Sequence, residues 1–244
     1  MLVDSHCHLN ICKEPFSVIK RAENKGIYMQ TIATDLEQVP ELIEIAKHSK
    51  KIFVAAGVHP CSVTNNDKVV ETQKLINICA HPKITGIGET GLDYYHPGYN
   101  KNLQIRSLLN HISASQQIKL PIIIHNRNSD EECAAILTSE YKNCQFSGLI
   151  HCFSTEIGFA KSMLDIGFYI SIAGIVTFKN AHILRSVVEY VPLDMLMLET
   201  DSPYLAPEPM RGKENEPAFV SFVAEKIAQI KQISDWITAG ALNN

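Results

Sequence analysis

Short runs of apolar residues alternate along the chain with longer segments in which apolar residues recur at helical spacing. Eight of the apolar runs are rich in β-branched residues and predict buried strands. The predicted strands cover residues 2–4, 27–34, 52–58, 84–89, 121–125, 148–151, 168–172 and 195–199. The clearest helical patterns cover residues 41–51, 103–117, 181–191 and 218–230.

This regular alternation predicts βαβ units and a parallel sheet. Eight such units in 244 residues fit a (β/α)8 barrel, the TIM barrel of the α/β class, whose usual length is about 250 residues. We therefore predict a single domain over residues 1–244. A doubly wound sheet is the alternative, but its first turn is usually rich in glycine, whereas the first turn here reads SHCHLN.

Composition narrows the class of protein. Hydrophobic residues make up 45% of the chain and charged residues 20%, which is typical of a globular domain. The apolar runs are shorter than the roughly 18 residues of a membrane span, and the N-terminal MLVDSHCHLN lacks the pattern of a signal peptide. Seven cysteines without a CxxC pair indicate reduced thiols. We therefore expect a cytoplasmic protein with no membrane partner.

The net charge of −4 predicts no general attraction for nucleic acid. A substrate that carries phosphate would need local positive charge from an arginine, a lysine or a metal ion.

Histidines and carboxylates stand at or just beyond the ends of the predicted strands. They are Asp4, His6, His8, His59, Glu89, His125, His151 and Asp201. In a barrel these ends meet on one face, where active sites lie. So many imidazoles and carboxylates around one mouth are costly unless a cation neutralises and orders them. The pattern therefore predicts a metal site.

Each residue taken singly has a structural alternative. An HxH pair such as His6 and His8 also arises by chance, and a lone buried histidine is often a hydrogen-bonded core residue. Glu89 could belong to an ion pair, and Asp201 before Ser-Pro could be a turn residue. One shared site explains all of them together and is the interpretation we favour.

The remaining histidines receive other predictions. His59, which precedes Pro60, is expected to hold a ligand of the site in place rather than bind a metal directly. His96 follows the fourth strand and is expected at the surface. Structural roles are predicted for the four histidines in helical or connecting segments, His48, His81, His111 and His182.

The chain carries the motifs HCH, GVHP, GETGLDYY, LPIIIH, HCFS, ETDSPYL and RGKENEP in this order. In this order they resemble the TatD-type metal-dependent deoxyribonucleases, part of the wider amidohydrolase-like class. The resemblance runs from Asp4 to about Ile233. It implies a (β/α)8 barrel that hydrolyses DNA with two divalent metal ions.

The resemblance also implies six metal ligands, which are His6, His8, Glu89, His125, His151 and Asp201. One ion would be held by His6, His8 and Asp201, the other by the histidines of the fifth and sixth strands. Glu89 would bridge them, where many amidohydrolase relatives use a modified lysine. This glutamate counts against a dihydroorotase-like or urease-like enzyme.

A two-ion site would clamp a phosphodiester, with Glu89 and Asp201 as the catalytic residues. Asp201 is expected to accept a proton as well as bind metal. Zinc, manganese or magnesium could be used, and the four histidines favour zinc or manganese. Arg211 and Lys213, after the last strand, are expected to bind a flanking phosphate, with a solvated loop as the alternative.

The family suggests a 3′–5′ exodeoxyribonuclease acting on single-stranded or end-bound DNA, and we expect a monomer. An ester or amide hydrolase on the same scaffold is the alternative, including a D-aminoacyl-tRNA deacylase. A non-catalytic barrel that binds a partner is a third class, which the complete ligand set disfavours.

Three positions depart from the family pattern. Thr90 replaces an aliphatic residue, which predicts a minor packing change, and Glu214 replaces a basic residue, which predicts weaker attraction for DNA. The sequence ends at TAGALNN, where the family usually continues through a final helix. This predicts exposed apolar surface beside the eighth helix and reduced stability.

Overall fold

The computed structural model describes residues 1–234. Eight parallel strands follow one another in sequence order around the sheet. The strands are β1 (Val3–Cys7), β2 (Tyr28–Ile32), β3 (Ile52–Ala56), β4 (Ile84–Asp93), β5 (Ile122–Arg127), β6 (Gly148–Ile150), β7 (Tyr169–Ile172) and β8 (Leu196–Leu198). The helices that follow them are α1 (Pro15–Asn24), α2 (Val39–Lys47), α3 (Thr72–Cys79), α4 (Lys101–Ile118), α5 (Asp130–Asn143), α6 (Ile157–Asp165), α7 (His182–Tyr190) and α8 (Val220–Lys231).

The first and last strands meet just beyond their ends. The backbone N–H of Asp201 donates to the carbonyl of His6 at 2.9 Å, and the N–H of His8 donates to the carbonyl of Ser202 at 2.8 Å. These bonds close the sheet into a barrel with its helices outside. The predicted (β/α)8 fold is confirmed, and the doubly wound alternative is wrong.

Alternate strand residues face two different apolar clusters. Ile122 and Ile124 of β5 belong to the main core, which also contains helix residues, whereas Ile123 belongs to a separate small cluster. The small cluster consists of Ile32, Ala55, Ile123 and Leu149, with Met197 packed against it. Because successive strand side chains point to opposite faces, this cluster fills the barrel interior. His125 follows Ile123 by two residues along β5. The apolar interior therefore lies directly below the polar mouth of the barrel.

Strand β4 is longer than the sequence pattern predicts, reaching Asp93 instead of ending at Glu89. The glycines of this segment break the apolar pattern, but pairing of Gly91 with His125 carries the strand onward. Gly91 has a φ of 142°, and a Cβ there would overlap the carbonyl oxygen of His125. Glycine thus lets β4 and β5 approach closely at the mouth. Thr90, beside it, is buried.

The last described helix matches the predicted one at residues 218–230. Val223, Ala224 and Ile227 of α8 are buried against the barrel. The expectation about the TAGALNN end lies outside the described residues and stays a prediction. In the described part of the chain, the helices are too short or too polar to cross a membrane.

Candidate metal centre

The ends of β1 and β8 bring three of the predicted ligands together. Nε2 of His6 and Nε2 of His8 lie 3.8 and 3.5 Å from Oδ1 of Asp201. Nδ1 of His8 lies 3.0 Å from the carbonyl oxygen of Ile32 and must donate to it, so Nε2 of His8 is the nitrogen that faces Asp201 and could bind a metal. Asp201 has a φ of 55°, a conformation more accessible to aspartate than to most residues.

Strands β4, β5 and β6 carry the other three predicted ligands at or near their ends. Oε1 of Glu89 lies 3.0 Å from Nδ1 of His125 and 3.1 Å from Nε2 of His151. Its second oxygen, Oε2, lies 3.4 Å from Nε2 of His6. Glu89 therefore stands between the two groups of ligands, with one oxygen toward each.

His6 is the clearest sign that a cation fits here. It is fully buried, and neither ring nitrogen makes a hydrogen bond. Its ring stacks on His151 with centroids 3.7 Å apart. Burial, together with the charge of His151, lowers the pKa of His6, so the ring is neutral and carries a lone pair. A buried imidazole without partners is costly, and coordination to a metal would offset that cost.

Two carboxylates at the mouth are anionic. Burial alone would raise the pKa of Glu89, but the imidazoles of His151 and His59 outweigh it and hold that pKa well below its usual range. Burial also acts on Asp201, where the hydrogen bond from His8 outweighs it and lowers the pKa. Nitrogen and oxygen donors with this charge suit zinc and other divalent ions.

Two buried carboxylates that the sequence analysis left without a role stand behind the histidines. Oδ2 of Asp93 lies 3.0 Å from Nε2 of His125, and Oε1 of Glu199 lies 3.1 Å from Nδ1 of His151. Carboxylates in this position orient the imidazoles of metal sites. Their spacing in the sequence could have identified them, because strand residues an even number apart point to the same face. Asp93 follows Glu89 by four residues, and Glu199 precedes Asp201 by two.

Asp4, also noted at a strand end, points away from this cluster. Its carboxylate accepts from the backbone N–H of Thr200 at 2.8 Å and from the Thr200 hydroxyl at 2.6 Å. Burial raises its pKa well above the usual range. Asp4 thus ties β1 to the chain after β8 and helps to hold Asp201 in place.

His59 lies within reach of the same central carboxylate. Its Nε2 is 3.4 Å from Oε1 of Glu89 and 3.3 Å from Nδ1 of His125, while its Nδ1 accepts from the backbone N–H of Cys61 at 3.0 Å. Burial lowers the pKa of His59 to about 4, so it is neutral at pH 7. Its supporting role stays a prediction.

The basic residues after β8 are exposed. The guanidinium of Arg211 lies 4.0 Å over the ring of Phe178, and Lys213 follows two residues later. Glu214 is directed to Lys13, whose backbone N–H donates to it at 2.9 Å and whose Nζ lies 3.3 Å away. The carboxylate of Glu214 is therefore engaged away from Arg211.

Arg127 is a further basic residue that the sequence analysis missed. It follows His125 by two residues at the mouth end of β5, and its guanidinium lies 3.9 Å over the ring of Tyr95. Residues two apart in a strand point the same way, so the sequence contained this signal.

The histidines predicted to be structural lie apart from the candidate metal groups of the described residues. His111 is buried, with Nδ1 2.7 Å from the carbonyl of Ser107 and Nε2 accepting from the N–H of Val58 at 3.1 Å. His48 packs edge-on against Phe16. The other two make local contacts within a few residues, His81 with Lys83 and His182 with Arg185.

Known proteins resemble this chain along nearly its whole length. Residues 3–244 match the family model described as TatD related DNase. The metal-dependent hydrolase YcfH of Escherichia coli K12 is 39% identical over 240 residues, which cover 96% of this chain and 89% of that protein. The metal-dependent hydrolase YabD of Bacillus subtilis is 36% identical over 239 residues, covering 96% of this chain and 92% of that protein.

Two solved structures share the fold. YJJV, a TatD homologue of Escherichia coli K12, superposes with a TM-score of 0.85 at 23% identity over 94% of this chain and 90% of that one. A hydrolase TatD family protein of Entamoeba histolytica superposes with a TM-score of 0.81 at 23% identity over 96% of this chain and 92% of that one.

Proposed function

This chain belongs to the family of TatD-related DNases, and we propose that it acts as a metal-dependent hydrolase of DNA phosphodiester bonds. One observation carries the proposal: six residues with nitrogen or oxygen donors, from five strand ends, meet at the mouth with Glu89 between two groups, and the ring nitrogens of the buried His6 make no hydrogen bond. Such a cluster is stable and useful only with cations in it.

We assign the ligands as two groups around Glu89. His6, His8 and Asp201 would hold one divalent ion, His125 and His151 the other, with Glu89 shared. A pair of divalent ions bound here would neutralise the charge on a phosphate and lower the pKa of a water molecule. The metal identity is proposed as zinc or manganese, with magnesium as the third candidate.

The residues behind the centre set which nitrogen each imidazole presents. Nδ1–H of His151 donates to Glu199, so Nε2 of His151 is the nitrogen that would bind a metal on the side of Glu89. Nε2–H of His125 donates to Asp93, so Nδ1 of His125 faces the centre. These bonds fix each tautomer before substrate arrives, which lowers the reorganisation needed for binding.

Asp201 is the proposed proton acceptor. It is anionic and lies at the mouth, with its side chain more exposed than that of Glu89 (14% against 3%). Glu89, enclosed by imidazoles, would stay ionised throughout and hold charge in place. The two carboxylates therefore differ in role because they differ in access to solvent.

We propose that Arg211, Lys213 and the newly found Arg127 bind phosphates that flank the scissile one. The two arginines lie over aromatic rings. This packing holds the planar guanidinium while its N–H edge stays available for a phosphate. Because the chain has a net charge of −4, a substrate that carries phosphate needs local positive charge, and these three residues supply it.

The finer activity that we propose is 3′–5′ exonucleolytic cleavage of single-stranded or end-bound DNA by a cytoplasmic monomer. Purified protein, stripped with a chelator and reloaded with Zn²⁺, Mn²⁺ or Mg²⁺, should degrade oligonucleotides carrying a 5′ label to progressively shorter labelled products. Metal content should be measured in the same samples, and sedimentation would report the oligomeric state.

A panel of substrates distinguishes DNA hydrolysis from the alternative activities. Hydrolysis of D-aminoacyl-tRNA or simple esters by the loaded protein, with DNA left intact, would contradict the proposal and favour the other ester hydrolases of this scaffold. A protein that binds no metal at all would contradict hydrolysis of either kind.

A further inference from the structure

A second cluster of metal-binding side chains lies beside the centre and shares only Asp93 with it. Cys61, Asp93 and His96 each offer one donor atom, and these atoms lie within 4.8 Å of one another. Sγ of Cys61 is 3.4 Å from Nδ1 of His96, which is 2.9 Å from Oδ2 of Asp93. The cysteine follows β3 and the histidine follows β4, so tertiary structure alone brings them together.

The carboxylate of Asp93 is held in place by backbone donors. Its Oδ1 accepts from the N–H groups of Tyr95 and His96, each at 3.0 Å. Oδ2 is thereby aimed at His96 on one side and His125 on the other. Asp93 is fully buried, whereas Cys61 and His96 are exposed, so the cluster opens to solvent.

A buried glutamine links the cysteine loop to the backbone of Asp93. Gln104 of α4 accepts from the N–H of Asp93 at 2.9 Å and donates to the carbonyls of Asp93 at 3.1 Å and Pro60 at 3.3 Å. His59 adds a bond to the backbone N–H of Cys61 at 3.0 Å. The three donors are therefore positioned by the fold rather than by chance proximity of flexible side chains.

We propose that Cys61, Asp93 and His96 form a Zn²⁺ site separate from the centre around Glu89. Thiolate, imidazole and carboxylate together are typical zinc ligands, and three of them leave a fourth position for solvent. Ideal tetrahedral coordination would put the sulfur and nitrogen about 3.6 Å apart and the nitrogen and oxygen about 3.3 Å apart. The distances of 3.4 and 2.9 Å need shifts of only a few tenths of an ångström.

Binding would displace the proton of the thiol. Desolvation and the charge of Asp93 raise the pKa of the Cys61 thiol to about 12, so the thiol proton would leave to solvent as the thiolate binds. Nδ1 of His96 would likewise bind through its lone pair. Asp93 would still accept from Nε2–H of His125, so the cation and a ligand of the main centre would share one carboxylate.

Cobalt titration of the full chain tests the site directly, without any activity measurement. A thiolate bound to Co²⁺ gives a charge-transfer absorption in the near ultraviolet, and the ligands proposed around Glu89 include no sulfur. We expect this absorption in the wild type and its loss in Cys61→Ser. His96→Ala should weaken Co²⁺ binding at this site by about tenfold or more. Zinc content should fall by one equivalent in both variants.

Matched controls separate the site from other thiols. Cys144 is an exposed cysteine far along the chain, and Cys152 adjoins His151. Cys144→Ser and Cys152→Ser should keep the absorption. Cys61→Ser, His96→Ala and Cys144→Ser should melt like the wild type because these three residues are exposed. No thiolate absorption in the wild type, its survival in Cys61→Ser, or unchanged zinc content in both variants would overturn the proposal. The three groups would then be a hydrogen-bonded cluster only.

Discussion

The mouth of the barrel and the layer between β3 and α4 each bury a histidine completely. His6 in the mouth and His111 in the layer are both fully buried, and burial lowers the pKa of both. Both nitrogens of His111 have backbone partners, in Ser107 and Val58, whereas neither nitrogen of His6 has one. Burial therefore does not separate a structural histidine from a functional one, but the balance of hydrogen bonds does.

The surroundings of the two histidines point the same way. His111 sits among apolar helix residues such as Leu108 and Ile112, which need no charge to be stable. His6 sits beside the anionic carboxylates of Glu89 and Asp201, which repel each other unless a cation lies between them. Five experiments test this contrast.

The largest effect is expected at Glu89, the carboxylate at the centre of the mouth. Glu89→Gln keeps the shape and removes the charge, so DNA hydrolysis should fall by roughly 10²-fold or more, with metal content lowered at both positions. Kinetics and elemental analysis measure this. Glu225→Gln, on the exposed side of α8, is the control and should match the wild type. Two normally bound ions and a native rate in Glu89→Gln would remove Glu89 from the centre.

The next effect is expected one step behind the ligands. Glu199→Gln replaces the acceptor of Nδ1–H of His151, so metal affinity or activity should drop by about 10- to 100-fold. Ser171→Ala is the matched control, because it removes the bond to the other oxygen of Glu199, at 2.5 Å, and a bond to Ser5, while leaving the acceptor of His151 in place. Equal losses in both variants would mean that orientation of His151 is not the role of Glu199.

The contrast itself is tested by replacing each buried histidine with leucine. His111→Leu leaves the N–H of Val58 without its acceptor, so the free energy of unfolding should fall by about 1–3 kcal/mol. His6→Leu removes no hydrogen bond, so the metal-free protein should keep its stability while losing metal. Denaturant unfolding in excess chelator measures both. A larger loss of stability in His6→Leu would break the comparison.

A smaller effect should appear as a dependence of stability on pH. The pKa of His111 is lowered to about 4 in the folded state from 6.5. Below pH 6.5 the unfolded chain binds a proton that the folded chain does not, so stability falls as the pH falls toward 4. Between pH 7.5 and 5.5 this amounts to about 1 kcal/mol.

His111→Asn isolates this contribution, since an amide can donate to Ser107 and accept from Val58 without titrating. The difference in unfolding free energy between the wild type and this variant should change between about pH 7.5 and pH 5.5. An unchanged difference would show that another group accounts for the loss of stability.

The smallest effect is expected at the rim of the mouth. Arg211→Ala should raise KM for oligonucleotides by about twofold to fivefold at low salt, with metal content and kcat unchanged, because exposed charges are screened and weak. Lys119→Ala, an exposed residue at the opposite end of β5, is the control. Hydrolysis of DNA that is unaffected at both low and moderate salt would make the loop after β8 structural only.

Much of the centre could be predicted from the sequence because it depends on local order. Each proposed ligand stands at or just beyond the end of an apolar run, and parallel strands place all such ends on one face. The spacing of His6 and His8 also needs only an extended chain. Asp93 was left without a role because β4 was expected to end at Glu89, and only pairing of Gly91 with His125 extends it.

The sequence by itself determined the order of strands and helices, the single barrel, and the donors that face its mouth. These follow from periodicity and from the short-range geometry of the chain. Tertiary structure alone decided that Asp201 closes onto His6, that Glu214 turns to Lys13, and that Cys61 meets His96 across two loops. It also decided that both ring nitrogens of His111 have hydrogen-bond partners and that those of His6 have none. The reason is that hydrogen-bond partners and charges come from residues distant in sequence, and their positions are fixed only when the strands pack into the closed barrel.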